Sequence, residues 1–333
     1  MNPKVAPSPE QPVAPPAAAA PAAKRWRFRI DQRYLAPFLI TCILLVASLH
    51  PKLKVLESFP SPFLSKITFG LIDTYSPTFV AIITAILMEI ILGRLFTGKW
   101  PFLTSAYISG ISVGILIRSP ELWPYVVCAA ISIVSKYALR VRGRHIWNPT
   151  NLGVSVLLLV APATVGVLSV QWGNDLWPVY IIWCLGTLIL WKVGRLNITV
   201  SYVIAFLLLA FVRSAVSGDS WDNEVLPITS PMYQLFIFFM ITDPKTTTRS
   251  KWSQCLVAVI IAVVEMLFRL CGTFEVQKVA LGVFGPNLDT KFLTENLATY
   301  APFYALFLVG PIANLIEIWH DARKARAVAA AKA

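Results

Sequence analysis

The chain has 333 residues, of which 56% are hydrophobic and only 14% are charged, and its mean hydropathy is +0.66. This composition excludes an ordinary soluble domain and is typical of a polytopic membrane protein. The net charge of +12 does not indicate nucleic-acid binding, because basic residues that flank apolar runs are explained by orientation in a membrane.

Residues 1–33 form a basic tail rich in Pro and Ala, which we expect to be disordered and which lacks the pattern of a cleavable signal peptide. Residues 34–320 are predicted to form an all-α transmembrane domain, followed by a basic tail over residues 321–333. The ten predicted spans cover residues 34–48, 78–96, 103–117, 123–139, 150–170, 177–191, 198–215, 228–242, 252–268 and 300–319. Lys and Arg are concentrated in the loops and tails on one side of this topology, which places both termini in the cytoplasm.

The segment Arg144–Gly153 is a polar break between two apolar runs. Asn148 precedes a proline and is therefore biased away from helix, whereas Pro149 suits the first turn of a new helix. The free N–H groups and the positive end of the dipole at that turn favour an anion or a polar ligand. The simpler interpretation is a well-capped transmembrane helix.

Two short spans share a Thr-Ser start and a proline stop. The first runs from Thr104-Ser105 to Ser119-Pro120 and the second from Thr229-Ser230 to Asp243-Pro244, and they cross in opposite directions. The pattern indicates two inverted five-helix halves, about residues 34–170 and 175–320, with a site between them. Chance similarity of two apolar segments is the alternative.

Three ionisable residues lie within predicted spans. Glu89 and Lys136 are close to the cytoplasmic ends and are expected to extend toward the interface, and Glu265 has Arg269 four residues on, which predicts a structural ion pair. The five cysteines are scattered, with no Cys-x-x-Cys pair and no histidine at ligand spacing, so no metal site is predicted. No catalytic residues are predicted either.

From about Pro101 to Ala325 the chain resembles the D subunit of the Rnf electron-transport complex and the B subunit of the sodium-pumping NADH:quinone oxidoreductase. Trp147–Gly153 is similar to the family's Phe-Asn-Pro-Ala-x-x-Gly motif, and Phe238–Pro244 is similar to its Phe-Phe-x-x-Thr-Asp-Pro motif before a Thr-rich stretch. Asn314–Glu317 resembles the family's closing Asn-x-x-x-Pro-Leu-Ile-Asp region. The resemblance implies about ten spans in two inverted halves, a bound flavin and a multi-pass location in the bacterial cytoplasmic (inner) membrane.

The chain departs from the family at the attachment point of covalent FMN. The family's Ser-Gly-Ala-Thr type motif is absent, and Ser217–Ser220, which has a loosely similar shape, carries Asp219 in place of Ala. The sequence therefore argues against covalent FMN and favours non-covalent FMN or riboflavin, with the predicted cofactor-binding residues Asn148, Thr150, Asn151, Thr242 and Asp243.

Two functions follow from these patterns. The first is an integral membrane subunit of Rnf/Nqr-type electron transport, without catalytic residues of its own, partnered by the bilayer and other membrane or redox subunits. The second is a transporter or channel for a small solute or an ion, with the same fold and no cofactor. Asp243 is expected either to form a salt bridge with Lys245, Arg249 or the Arg140–Arg144 cluster, or to face a site with Asn148 and Thr150.

Overall fold

The computed structural model describes residue 41 and residues 71–167, 177–284 and 289–330. The predicted tail over residues 1–33 and almost all of the predicted first span lie outside these residues. The helices are α1 (Leu71–Thr97), α2 (Thr104–Leu116), α3 (Trp123–Ala138), α4 (Pro149–Val160), α5 (Trp177–Val193), α6 (Leu196–Ser217), α7 (Trp221–Val225), α8 (Pro231–Leu235), α9 (Lys251–Leu270), α10 (Phe274–Phe284) and α11 (Ala301–Ala330).

Two pairs of very short strands join helix ends. Strand β1 (Ile117–Arg118) pairs antiparallel with β4 (Gly166–Val167), and β2 (Arg140–Val141) pairs antiparallel with β3 (Arg144–His145). A 3-10 turn covers Leu226–Thr229, and two π-helical segments cover Phe236–Met240 and Phe292–Ala298. The segments Leu226–Thr229 and Phe236–Met240 follow the short helices α7 and α8, and Phe292–Ala298 precedes α11.

The described helices include four that are long and apolar enough to cross a membrane, namely Pro77–Thr97, Leu196–Ser217, Lys251–Leu270 and Ala301–Ala330. Three others are apolar but shorter, at Thr104–Leu116, Pro149–Val160 and Val179–Val193. The described chain is therefore that of a helical membrane protein with both long and short apolar helices. Half-length helices need neighbours that shield their ends, because unpaired backbone groups cannot face lipid.

The predicted fifth span, residues 150–170, is too long. Helix α4 ends at Val160, Ala161 leaves the helical conformation with φ of −132° and ψ of 51°, and the chain then turns into β4. Pro162 explains the stop, since the residue before a proline is disfavoured in helical conformation and the proline itself has no N–H to continue the ladder.

Helix α2 lies against α1 through small residues. An added Cβ at Gly110 would lie 2.5 Å from the Ile82 Cα, and one at Gly114 would lie 2.5 Å from the Thr78 Cα. The four-residue spacing puts both glycines on one face, which lets the two backbones approach as in membrane helix pairs. Helix α3 packs on α1 and α4, whereas α9 packs on α6 and α11.

Candidate functional site

The polar break forms the capped helix start that the sequence predicts. Asn148 has an extended backbone with ψ of 122°, and its Oδ1 accepts a hydrogen bond from the Asn151 N–H at 3.0 Å. Pro149 occupies the first helical position. The cap satisfies one of the N–H groups that every helix start leaves without an intrahelical partner.

The second break follows a π-helical turn at Phe236–Met240, closed by a hydrogen bond of 3.1 Å from the Ile241 N–H to the Phe236 carbonyl. Gly186 of α5 packs directly on the Phe238 ring, and Trp183 meets the same ring edge-on at 5.2 Å. A π-turn is a costly irregularity that is frequent at functional sites. It shifts the register of the carbonyl groups that precede Thr242 and Asp243.

Side chains satisfy the carbonyl oxygens that this irregular turn exposes. The Ile237 carbonyl accepts from Thr199 Oγ1 at 3.1 Å, the Phe238 carbonyl from Thr242 Oγ1 at 2.7 Å, and the Met240 carbonyl from Asn148 Nδ2 at 3.3 Å. The last of these bonds joins the two polar breaks directly. The structure thus brings together the two motifs that are far apart in sequence.

Asp243 organises the turn that follows the second break. Its Oδ1 accepts from the Lys245 N–H at 3.1 Å, and its Oδ2 accepts from Thr246 Oγ1 at 3.0 Å. Lys136 and Arg195 lie close enough for their charges to act on Asp243. Among the described residues no cation lies within 4 Å of this carboxylate, so a salt bridge from Asp243 is absent there.

Arg144 of the first break forms its salt bridge with Glu317 of α11 and not with Asp243. Arg144 Nη1 lies 2.5 Å from Glu317 Oε2, and the other carboxylate oxygen accepts from the Arg249 N–H at 2.7 Å. Beside this pair the fully buried Asn314 donates through Nδ2 to the Ile146 carbonyl at 3.0 Å and to the Thr246 carbonyl at 2.7 Å. We call Arg144, Asn314 and Glu317 the clasp, because they tie the first break, the second break and α11 together.

Sequence reasoning missed the clasp. The sequence indicates Asn314–Glu317 only through the family resemblance, and Arg144 only as part of the Arg140–Arg144 cluster. The signal was that a polar Asn and an acidic Glu three residues apart interrupt the last apolar run, and groups so spaced share one helix face.

Of the predicted cofactor-binding residues, Asn151 alone has a buried polar atom without a partner in the described part of the chain. Its Nδ2 donates to the Phe303 carbonyl at 3.1 Å, but its Oδ1 has no partner although the residue is only 1% exposed. Thr150 and Thr242 are also buried. The side chains of Asn148, Thr242 and Asp243 bond to the backbone around the junction, so Asn151 is the one of the five that offers an unpartnered atom within the described chain.

His145 lies beside the junction and is buried, with its Nδ1 unpartnered among the described residues. Burial, together with the positive charges of Arg140, Lys245 and Lys136, lowers the pKa of His145 to about 4. The His145 imidazole is therefore neutral near pH 7.

Glu89 and Lys136 do not extend to the interface as expected. Lys136 Nζ lies 3.4 Å from Glu89 Oε2 and donates to Ser105 Oγ at 3.1 Å, and the Tyr137 hydroxyl donates to Glu89 Oε1 at 2.9 Å. The expectation was wrong because each group finds an opposite charge across the α1–α3 contact, which removes the need to reach water.

The predicted ion pair of Glu265 is confirmed. Arg269 Nε lies 3.1 Å from the Glu265 carboxylate, which is fully buried and also accepts hydrogen bonds from the hydroxyl groups of Tyr202 and Tyr233. The buried carboxylate therefore has a charged partner and two hydroxyl donors inside the protein. Within the described residues, no group of three or more His, Cys, Asp or Glu side chains is arranged to hold a metal ion.

The model of the NQR2, RnfD, RnfE family matches residues 176–294, just over a third of the chain. The matched segment contains Thr242-Asp243-Pro244 and the π-turn before it, and ends before the clasp residues of α11. No curated protein matches the chain. Family members are membrane subunits of Rnf/Nqr-type complexes, and the helical architecture agrees with that class. Residues 176–294 of the chain are therefore similar to the NQR2, RnfD, RnfE family.

Proposed function

We propose that this protein is an integral membrane subunit of Rnf/Nqr-type electron transport that holds a non-covalent flavin where the two polar breaks meet. The observation that carries the proposal is the buried Asn151 Oδ1 without a partner among the described residues, one helical turn from the bond between Asn148 and the Met240 carbonyl. A buried acceptor left without a donor costs about 1–3 kcal/mol, which a ligand N–H removes.

The residues present fit a flavin ring, which carries both an N–H donor and carbonyl acceptors. Asn151 supplies the acceptor, and the first turn of α4 supplies the Thr150 N–H and the positive end of a helix dipole. Asn148, Thr242 and Asp243 hold the surrounding backbone in place. When bound, the flavin supplies one- and two-electron chemistry, and the protein tunes it through burial and hydrogen bonding.

Contacts at opposite ends of the helices support an arrangement of ten spans in two inverted halves. At the clasp, the segment after α8 meets the start of α4 and the second half of α11. At the other end, β1 after α2 pairs with β4 after α4, and Gly166 lies against the Tyr300 hydroxyl just before α11. The second set of contacts matches the first when α2 takes the place of α8 and when α4 and α11 trade places. A two-fold axis in the membrane plane relates helices in this way.

The proposed setting is the bacterial inner membrane, with both termini in the cytoplasm and further redox subunits as partners. In that setting the clasp lies at the cytoplasmic edge, where the basic residues of the chain are concentrated.

The test is the flavin content of gently purified full-length protein. The proposal predicts flavin absorbance bands in the native protein and release of about one flavin per chain on denaturation, with none left on the polypeptide. Protein that shows no flavin bands, and that passes a solute or an ion when reconstituted in vesicles, would support the transporter instead.

A further inference from the structure

A group of exposed basic side chains lies at the edge of the molecule beside the clasp. We call Arg94, Lys99, Arg140 and Arg142 the basic rim; all four are exposed. In the described part of the chain, none of them has a carboxylate within 4 Å. Their charges are therefore available to an outside partner, unlike that of Arg144, which Glu317 neutralises.

Aromatic contacts join the two segments that carry the rim. Phe96, at the end of α1, stacks on Tyr137 with ring centroids 5.8 Å apart, and the Arg140 guanidinium lies 5.6 Å from the same Tyr137 ring. The Arg94 guanidinium lies 4.7 Å from the Trp100 ring. The rim is thus one continuous edge formed by the end of α1, the segment that follows it and the β2–β3 hairpin.

The tip of that hairpin is strained. Arg142 and Gly143 form the two-residue connection between β2 and β3, with φ of 50° and 77°. Tight hairpins use two such residues in succession, and Asn, Asp or Gly adopt the first position far more readily than Arg. Binding of an anionic group by the Arg142 guanidinium would explain why an arginine occupies this strained, exposed position.

The surroundings of the rim are apolar. Leu95 is 73% exposed and Trp100 is 72% exposed, and Phe96 and Val141 are exposed too. Guanidinium groups next to exposed aromatic and aliphatic side chains match the boundary between lipid headgroups and acyl chains. An acidic protein surface would satisfy the charges but would leave these apolar side chains without a matching partner.

We propose that the basic rim binds the phosphodiester group of an anionic phospholipid in the leaflet that meets this edge of the protein. Arginine is suited to this role, since its planar fork can donate two parallel hydrogen bonds to one phosphate. The site is distinct from the junction of the two breaks and does not depend on a flavin.

The test uses full-length protein in neutral detergent, titrated with phosphatidylglycerol and, separately, with phosphatidylcholine, and bound lipid is counted by native mass spectrometry. The double variant Arg140→Gln, Arg142→Gly should bind phosphatidylglycerol about 25-fold more weakly, at roughly fivefold for each basic residue near an anionic headgroup. Phosphatidylcholine binding should not change.

The matched control removes two charges from α11 on the same side of the molecule, by Arg323→Gln and Lys324→Gln, and should change phosphatidylglycerol binding by no more than about threefold.

Arg142→Gly alone should weaken lipid binding without lowering the melting temperature, because glycine relieves the strain at the tip. Unchanged binding in the double variant, or an equal loss in the control, would overturn the proposal. The proposal would also be overturned if the double variant bound phosphatidylglycerol as wild type does but no longer bound an acidic protein that the wild-type protein binds.

Discussion

Arg144 and Glu317 are 173 positions apart in sequence, yet Arg144 Nη1 and Glu317 Oε2 lie 2.5 Å apart, with both side chains 16% exposed. The pair fixes the start of α4 to α11, and through the Arg249 N–H it also fixes the turn that follows the second break. The junction that we assign to the flavin is therefore held from one side by a largely buried ion pair.

Glu317→Gln should destabilise the protein, because it leaves the Arg144 guanidinium largely buried without a charged partner. A hydrogen bond to a charged group contributes about 1.5–3 kcal/mol, and we expect a loss in that range in thermal unfolding in detergent. Asp321→Asn is the control. Its pair with Arg249 joins the same turn to the same helix, but the side chains are 48% and 70% exposed, so the loss should stay below about 0.5 kcal/mol. Equal effects of the two variants would show that the clasp does not hold the junction.

Asp243 should tolerate asparagine better than alanine. Asparagine keeps an acceptor for the Lys245 N–H, whereas alanine removes both acceptors of the turn, which should cost about 1 kcal/mol, as at a helix cap. Thermal unfolding of the two variants measures the difference. A large loss on Asp243→Asn would mean that the negative charge itself, acting with Lys136 and Arg195, stabilises the junction.

The buried pair of Glu89 and Lys136 should behave as a unit. Their side chains are 11% and 7% exposed, so Lys136→Met leaves a carboxylate with no counter-charge and should cost roughly 3–5 kcal/mol. Adding Glu89→Gln should recover a large part of that loss, because two neutral groups need less compensation than one charge. The melting temperatures of the single and double variants test this, and additive losses would count against the pairing.

Gly110→Ala and Gly114→Ala should each separate α1 from α2. The added methyl group would lie 2.5 Å from a backbone Cα atom in both cases, and overpacking of this kind costs about 1–3 kcal/mol. Gly282→Ala in α10 is the matched control, since its Cβ would meet no atom within 4 Å and alanine favours helix. That variant should unfold at the wild-type temperature or slightly above. A Gly110→Ala protein as stable as wild type would rule out close α1–α2 packing.

Much of the fold follows from local sequence signals. The sequence predicts the start of α4 because Asn148 is a cap residue and Pro149 suits the first helical position. It predicts the end of the short apolar span at Asp243 because Pro244 follows. The end of α4 was misplaced because hydropathy continues past Ala161 although the backbone cannot. The pairing of Glu89 with Lys136 depends on which helix lies next to which, and no local pattern contains that information.

The sequence predicts which residues form the candidate site but not what each of them does. The motifs contain Asn148, Asn151 and Asp243 and do not distinguish between them. Only the structure separates Asn148, whose side-chain oxygen and nitrogen both have partners, from Asn151, whose oxygen has none within the described chain. The π-turn that brings the Met240 carbonyl to Asn148 has no sequence signature. A run of apolar residues with one extra residue in a turn has the same sequence pattern as an ordinary apolar α-helix.

The flavin content of Asn151→Ala, compared with that of Ser155→Ala, tests the central claim most directly. Both side chains donate to the Phe303 carbonyl, at 3.1 Å and 3.4 Å, so both variants lose a bond to the same acceptor. Only Asn151 has the unpartnered oxygen. We predict that Asn151→Ala retains flavin about tenfold less well, as expected for loss of about 1.4 kcal/mol of binding, and that Ser155→Ala retains it as wild type does. Equal flavin content in the two variants, or no flavin in the wild-type protein, would contradict the account.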